Sequence, residues 1–272
     1  MAVEYASKFA SKVDEKLTQE AITTPAVNNN YDFQGVETVT VYSVGTVALN
    51  DYTTTGNQRY GTASELENSK QDLKMKKDRS FTFSIDRKSA DDTNGAMEVG
   101  EALARQIREQ VVPEVDKHRL ATIVAGAGKT VTGAIAKNEA YEKVLDGQVA
   151  LREAKAPRTG NVIYVSTEFF KKLKLDDNFI KASELGQQVL MTGQLGMVDG
   201  LPVILATADV LPEKVDFVIT NPNATVSPVK LESYKVHEDP VGISGYLVEG
   251  RLRYDAFVLN NQAKNIYVHK GV

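Results

Sequence analysis

The chain contains no cysteine and no tryptophan. Without cysteine there is no disulfide, no thiolate metal site and no cysteine nucleophile, and the absence fits a reducing compartment. Long apolar runs are missing as well. Nothing approaches the roughly 18 consecutive residues that a membrane-spanning helix needs. Glu4, Lys8, Lys12 and Asp14 stand where a secretory signal requires an apolar stretch, so the chain is expected to be made and kept in the cytosol. There is no positive excess either: 32 Lys and Arg face 36 Asp and Glu, a formal net charge of −4. A protein whose main task is to neutralise phosphates would be basic. The only histidines are His118, His237 and His269. They share no metal-ligand spacing and read as hydrogen-bonded structural residues, so neither metal nor cofactor is expected.

What remains is an ordinary globular composition: 272 residues, 42% hydrophobic and 25% charged, enough for one large domain or two small ones. Tyr5, Phe9, Val13 and Leu17 recur every four residues and form one apolar stripe on a short helix. TTPAVNNN (Thr23 to Asn30) then reads as extended arm or loop. So short a helix needs a partner surface, in this subunit or another. Val39 and Val41 alternate with Thr38, Thr40 and Tyr42 in a strand read over Val36 to Leu49, with Gly45 as a bulge or bend. The next alternation is Phe81, Phe83 and Ile85 with Thr82, Ser84 and Asp86. Between them, Asp51 to Arg79 is long and poor in apolar residues. A loop of that length is usually functional, and a two-stranded projection docking on a neighbouring subunit accounts for it. Lys70, Lys74, Lys76 and Lys77 near its end read either as a solvated edge or as a contact with an acidic neighbour.

The strongest helix is read over residues 91–125, with capping oxygens on Asp91, Asp92 and Thr93 and a stripe of Val99, Leu103, Ile107 and Val111. Pro113 should kink or restart it, with Glu114 and Asp116 in the first turn of the restarted piece. At 1.5 Å per residue it is a rod of roughly 50 Å, long for a domain of this size. Further on, Asn138 offers a cap to a helix through Tyr141, Val144, Leu145 and Val149. NVIYV (Asn161 to Val165) reads as a short buried strand, and Ser166 caps a helix through Phe169, Phe170 and Leu173. Strands are read in Gly193 to Ala206, Asp216 to Thr220, around Leu252 to Val258 and at Ile266 to Val268. The fold class is α+β, with helices and strands segregated.

Two motifs imitate catalytic ones. AGAGKT (Ala125 to Thr130) resembles a phosphate-binding loop, but Ile123 occupies the first glycine position and the loop follows a helix instead of a strand. GISGY (Gly242 to Tyr246) resembles a nucleophile elbow with its last glycine displaced, and reads as a turn. Neither makes the chain an enzyme. The different-class alternative is a nucleotide-binding enzyme using Gly126 to Thr130.

The order of pieces resembles the major capsid proteins of tailed bacteriophages with the Hong Kong 97-type fold. FQGVETVTV, DYTTTGNQRYG and DRSFTFSID look like the family's segments before, opening and closing the extended loop. DDTNGAMEVGEALARQIREQVVPEVDKHRLATI resembles its spine helix, and GQLGMVDGLPVI and RLRYDAFVLNNQAKNIYVHK resemble later segments. The resemblance runs from Tyr31 to Val268. It implies an N-terminal arm and first strand at residues 1–44, an extended β-hairpin loop (E-loop) at 45–86, and a peripheral domain with the spine helix at 87–125. An axial domain would follow at 126–225, and C-terminal strands would return to the peripheral domain at 226–272. It further implies a non-enzymatic shell subunit in a virion, assembled in the host bacterial cytoplasm. Pentamers and hexamers of this chain would enclose double-stranded DNA without sequence-specific binding. Expected partners are the chain itself, a separate scaffolding protein (since only a short arm precedes the body) and a portal, with no membrane. Tyr52, Phe81 and Phe83 are the expected loop anchors, Arg79 and Asp86 the expected pairing residues at the loop base, and the Tyr5 to Leu17 stripe the arm contact. An encapsulin-type compartment shell is the alternative with the same fold.

Overall fold

β-branched and aromatic residues set the strands of this chain, and the longest 3.6-residue apolar period sets its longest helix. A computed structural model describes residues 21–28, 38–44, 46–63, 65, 68–88, 99–177, 179 and 196–272. Two compact units emerge: a larger one of Met1–Tyr31 with Met75–Val272, and a smaller one of Asp32–Lys74.

In the smaller unit, β1 (Thr38–Val44) pairs antiparallel with β2 (Asn68–Lys74), in register from Thr38↔Lys74 to Val44↔Asn68. The return strand is therefore the polar run NSKQDLK and not the Phe81 strand. In β2 only Leu73 is fully buried, and its other described side chains are exposed or half-buried, so the strand carries a single apolar residue and no readable alternation. One cross-strand contact adds to it: the Thr40 hydroxyl donates to Asp72 at 2.7 Å, while Lys70, on the same strand as Asp72, pairs with that carboxylate at 3.3 Å. Within the connection, the Thr53 amide reaches the Arg59 carbonyl at 3.0 Å. Gly56 there takes φ +94°, a left-handed conformation that costs glycine least.

In the larger unit, β3 (Lys77–Asp86) forms the edge of a three-stranded antiparallel sheet with β11 (Gly245–Tyr254) and β10 (Val229–Glu238). Phe81 faces Gly250 across the pair, and a Cβ on Gly250 would lie 2.3 Å from the Phe81 ring. The apolar face of this sheet, with Tyr234, Val248, Leu252 and Tyr254 buried, packs on Leu103, Ile107, Val112 and Val115 of the long helix. That helix runs as α1 (Val99–Gln106), one π-helical turn (Ile107–Val111) and α2 (Val112–Ala125). Pro113 is the physical cause of the widened turn: it has no N–H for the carbonyl four residues earlier, and its ring would clash there. The expected disruption thus takes the form of a π turn. The capping residues Asp91 to Thr93 lie outside the described residues.

The second sheet has six strands in the order β4 (Lys129–Thr132), β13 (Tyr267–Lys270), β8 (Val215–Thr220), β5 (Val162–Ser166), β7 (Leu201–Ala206), β6 (Met197–Val198). The β4/β13 and β5/β7 pairs are parallel and the others antiparallel. Continuous apolar sequence in β5 follows from coverage on both faces. Ile163 and Val165 pack with Val144 of α3 (Ala140–Glu153), Phe169 of α4 (Thr167–Lys174) and Phe217 of the neighbouring β8. Tyr164 and Val162 face Leu120 and Ile123 of α2. Ser166 caps α4 as expected, its hydroxyl accepting from the Phe169 amide at 3.2 Å. Asn138 does not cap α3; the buried Asp176 carboxylate does, accepting from the Tyr141 amide at 2.9 Å. A short pair, β9 (Thr225–Val226) with β12 (Phe257–Val258), completes the set. Of the C-terminal strands, β10 and β11 join β3, whereas the last, β13, inserts in the six-stranded sheet.

Candidate functional site

The smaller unit carries the clearest display of apolar surface. Tyr42, Val47, Leu49, Tyr52 and Tyr60 are all exposed there, Leu49 completely. Tyr52 and Tyr60 meet edge to face at 5.2 Å between ring centres, so the expected anchor Tyr52 has a neighbour that sequence reading passed over. A fully exposed leucine is worth about 1.5–3 kcal/mol once buried, and clustered apolar side chains mark contact surfaces.

The other expected loop residues lie in the larger unit, on β3. Phe81 and Phe83 are half-buried and stacked at 6.4 Å, and both pack against the core cluster of the long helix. Much of their apolar surface is therefore engaged within the subunit. Arg79 and Asp86 do not meet, because they sit near opposite ends of the same strand. Arg79 pairs with Glu114 at 3.5 Å, and Asp86 accepts from the Lys88 amide at 2.9 Å. Arg79 and Phe81 also wall a recess of about 250 Å³ with Gln106, Gln110, Val111 and Tyr254, beside the π turn. On the helix, Leu103 and Ile107 are buried, Val111 and Pro113 half-buried, and Val99 opens α1. Tyr5, Phe9, Val13 and Leu17 lie outside the described residues.

Sequence reading missed a buried polar cluster on α2. Asp116 does not act as a first-turn charge: it is buried and accepts the Ile22 amide at 3.1 Å, the Thr23 amide at 3.2 Å and the Thr23 hydroxyl. Burial raises the Asp116 pKa, against the opposing pull of Thr23 and the Arg119 charge. Arg119, also buried, donates to Ser227 at 2.7 Å and to the Thr23 hydroxyl at 3.2 Å. Asp255 takes the Lys76 amide at 2.9 Å and lies 2.8 Å from His118 Nε2. Burial would raise the Asp255 pKa, but the His118 contact and the amides of Lys76 and Ala256 outweigh it and hold the carboxyl below its ordinary value. One signal was available. Val112, Asp116, Arg119 and Ile123 keep the helical period, so two charges occupy core positions of the stripe. TTPAV, read as arm or loop, supplies their partners: Thr23 and Ala26 are fully buried.

The histidines each face a carboxylate: besides His118 and Asp255, His269 lies 3.0 Å from Asp216 and His237 3.2 Å from Glu249. No cluster of three or more metal-ligating side chains occurs among the described residues. In the glycine loop, the Gly128 amide donates to the Ala263 carbonyl at 2.9 Å and the Lys129 amide to Ile266 at 3.3 Å. Those two N–H groups are thus unavailable to a phosphate. GISGY forms the β10–β11 turn, closed by the Asp239 amide on the Gly245 carbonyl at 2.7 Å. Among the described residues no helix is long and apolar enough to cross a membrane.

No family model matches the chain, and no curated protein does. Solved structures do match. A structure from Mycobacterium phage Che8 superposes with a TM-score of 0.73 at 19% identity, covering 92% of this chain and 91% of the other. The mature capsid of bacteriophage PhiM1 gives 0.63 at 14%, covering 90% and 88%. A virus-like particle from Pyrococcus furiosus gives 0.59 at 13%, covering 98% and 100%. Across nearly its whole length, then, the chain has the α+β fold of Hong Kong 97-type phage capsid structures.

Proposed function

We propose that this chain is the major capsid protein of a tailed bacteriophage, a non-enzymatic subunit that assembles with copies of itself into the icosahedral head. The observation that carries the reading is the fold shared over nearly the full chain with phage capsid structures. The apolar display of the smaller unit supports it, because a shell subunit needs surface that is buried only on assembly. In this reading residues 45–86 carry the extended loop, 87–125 the peripheral domain with its spine helix and 126–225 the axial domain. Residues 226–272 supply the C-terminal strands. Heterologous contacts close pentamers and hexamers, which tile a shell around double-stranded DNA held without sequence readout. Tyr52 and its neighbours anchor the loop on an adjacent subunit, with Phe81 and Phe83 fixing its base. Arg79 and Asp86 supply charge at that base, and the Tyr5 to Leu17 stripe forms the arm contact. A separate scaffolding protein and a portal complete the head, built in the host cytoplasm and retained in the virion. Electron microscopy of the purified chain, with and without a scaffolding candidate, tests this. Closed shells or five- and six-membered rings are expected, with DNA inside native particles. A strictly monomeric chain under all assembly conditions refutes the reading, and an enzyme cargo in native particles redirects it to a compartment shell.

A further inference from the structure

Residues 21–28 precede the smaller unit in sequence, and Lys76 is the second residue after it. Both flanks are held at or beside α2. Ahead of the unit, Asp116 binds the Ile22 amide at 3.1 Å, the Thr23 amide at 3.2 Å and the Thr23 hydroxyl. After it, Asp255 Oδ2 binds the Lys76 amide at 2.9 Å, while Asp255 Oδ1 faces His118 of α2 at 2.8 Å. Arg119 joins the two sites. Its Nη1 donates to the Thr23 hydroxyl at 3.2 Å and its Nε to the Ser227 hydroxyl at 2.7 Å. Ser227 in turn donates to the Asp255 carbonyl at 2.9 Å. Thr23, Asp116, Arg119, Ser227 and Asp255 are all buried, so water does not replace a lost partner cheaply.

The network has a direction. A guanidinium only donates, so each hydroxyl accepts from Arg119 and must turn its single proton outward. Thr23 points its proton at Asp116 and Ser227 points its own at the Asp255 carbonyl. One planar cation therefore polarises both arms at once, and loss of either arm leaves a buried donor of that cation poorly paired.

We propose that the Arg119-centred network is a coupling device that holds the entry and the exit of the smaller unit as one, so that loosening either flank loosens the other. Two observations carry this: the path from Ile22 to Lys76 is unbroken, its last link running through Asp255 itself from the carbonyl that takes Ser227 to the carboxylate that takes Lys76, and each bridging hydroxyl has one proton to place. It requires no assembly partner and stands apart from the shell reading.

Hydrogen exchange on the full chain tests it. Ser227→Ala removes one bridging hydroxyl and touches neither anchored amide. It should speed exchange of both the Ile22 and Thr23 amides and the Lys76 amide by about fivefold, the factor one net hydrogen bond gives, while β5 amides stay unchanged. Acceleration at one flank alone, or at neither, overturns the proposal. Asp116→Asn and Asp255→Asn supply a second reading that survives a general loss of stability, once each is normalised to the β5 amides. Coupling acts in both directions, so each must speed exchange at the distant flank as well as at its own. The absence of any cross-effect above that of β5 also overturns it.

Discussion

The six-stranded sheet and the connection between β1 and β2 treat apolar residues in opposite ways. In β5, Ile163, Tyr164 and Val165 are fully buried between helices on both faces. In the smaller unit, Leu49 is fully exposed and Tyr60 nearly so. A two-stranded ribbon is marginal alone, and apolar side chains held in water contribute nothing to it. The contrast teaches that buried and exposed apolar side chains are carried by different parts of this chain, which makes their roles separable by mutation.

The largest effect belongs to the sheet core. Phe217 is fully buried and tilted against Phe169 at 4.8 Å, so Phe217→Ala should cost about 3–5 kcal/mol in urea unfolding of the subunit. A loss below about 1 kcal/mol would show that the sheet is not the stability centre. Next comes acid sensitivity at Asp255. A carboxyl whose pKa is lowered on folding stabilises above its unfolded pKa, and that contribution disappears as pH falls through the folded value. Stability should therefore drop below about pH 4, and Asp255→Asn should flatten that part of the profile. An equally steep acid limb in the variant would remove Asp255 from the explanation. Smaller again, Ser166→Ala deletes the α4 cap and should cost about 1 kcal/mol by the same unfolding assay. The smallest effect on the subunit and the sharpest on assembly should come from Leu49→Ser with Tyr52→Ser. Subunit stability should stay within about 0.5 kcal/mol, while shells or rings counted by electron microscopy disappear. Unimpaired assembly would break the comparison, because the exposed apolar residues would then serve no contact.

Much of the fold was readable where burial imposes a period. β5 announced itself because both faces are covered, β3 because one face is, and Ser166 because a cap needs a local oxygen. β2 was not readable, since NSKQDLK buries only Leu73 fully and one apolar residue makes no period. Of the site residues, Tyr52 was found in an exposed segment, whereas Phe81 and Phe83 lie packed in the larger unit because alternation reports a buried face and not which body buries it.

The sequence by itself determined the α+β class, strands with buried faces such as β3, β5 and β8, the long helix and the position of its Pro113 disturbance. Each follows from local propensity or a short-range period. Only the tertiary structure decided that β2 closes the ribbon and that β13 inserts beside β4 and β8. It also decided that Asp116, Arg119 and Asp255 tie Ile22, Thr23 and Lys76 to one helix. Those are pairings between residues far apart in the chain. Hydrogen-bond partners at such separations are set by packing geometry, and no local pattern encodes them.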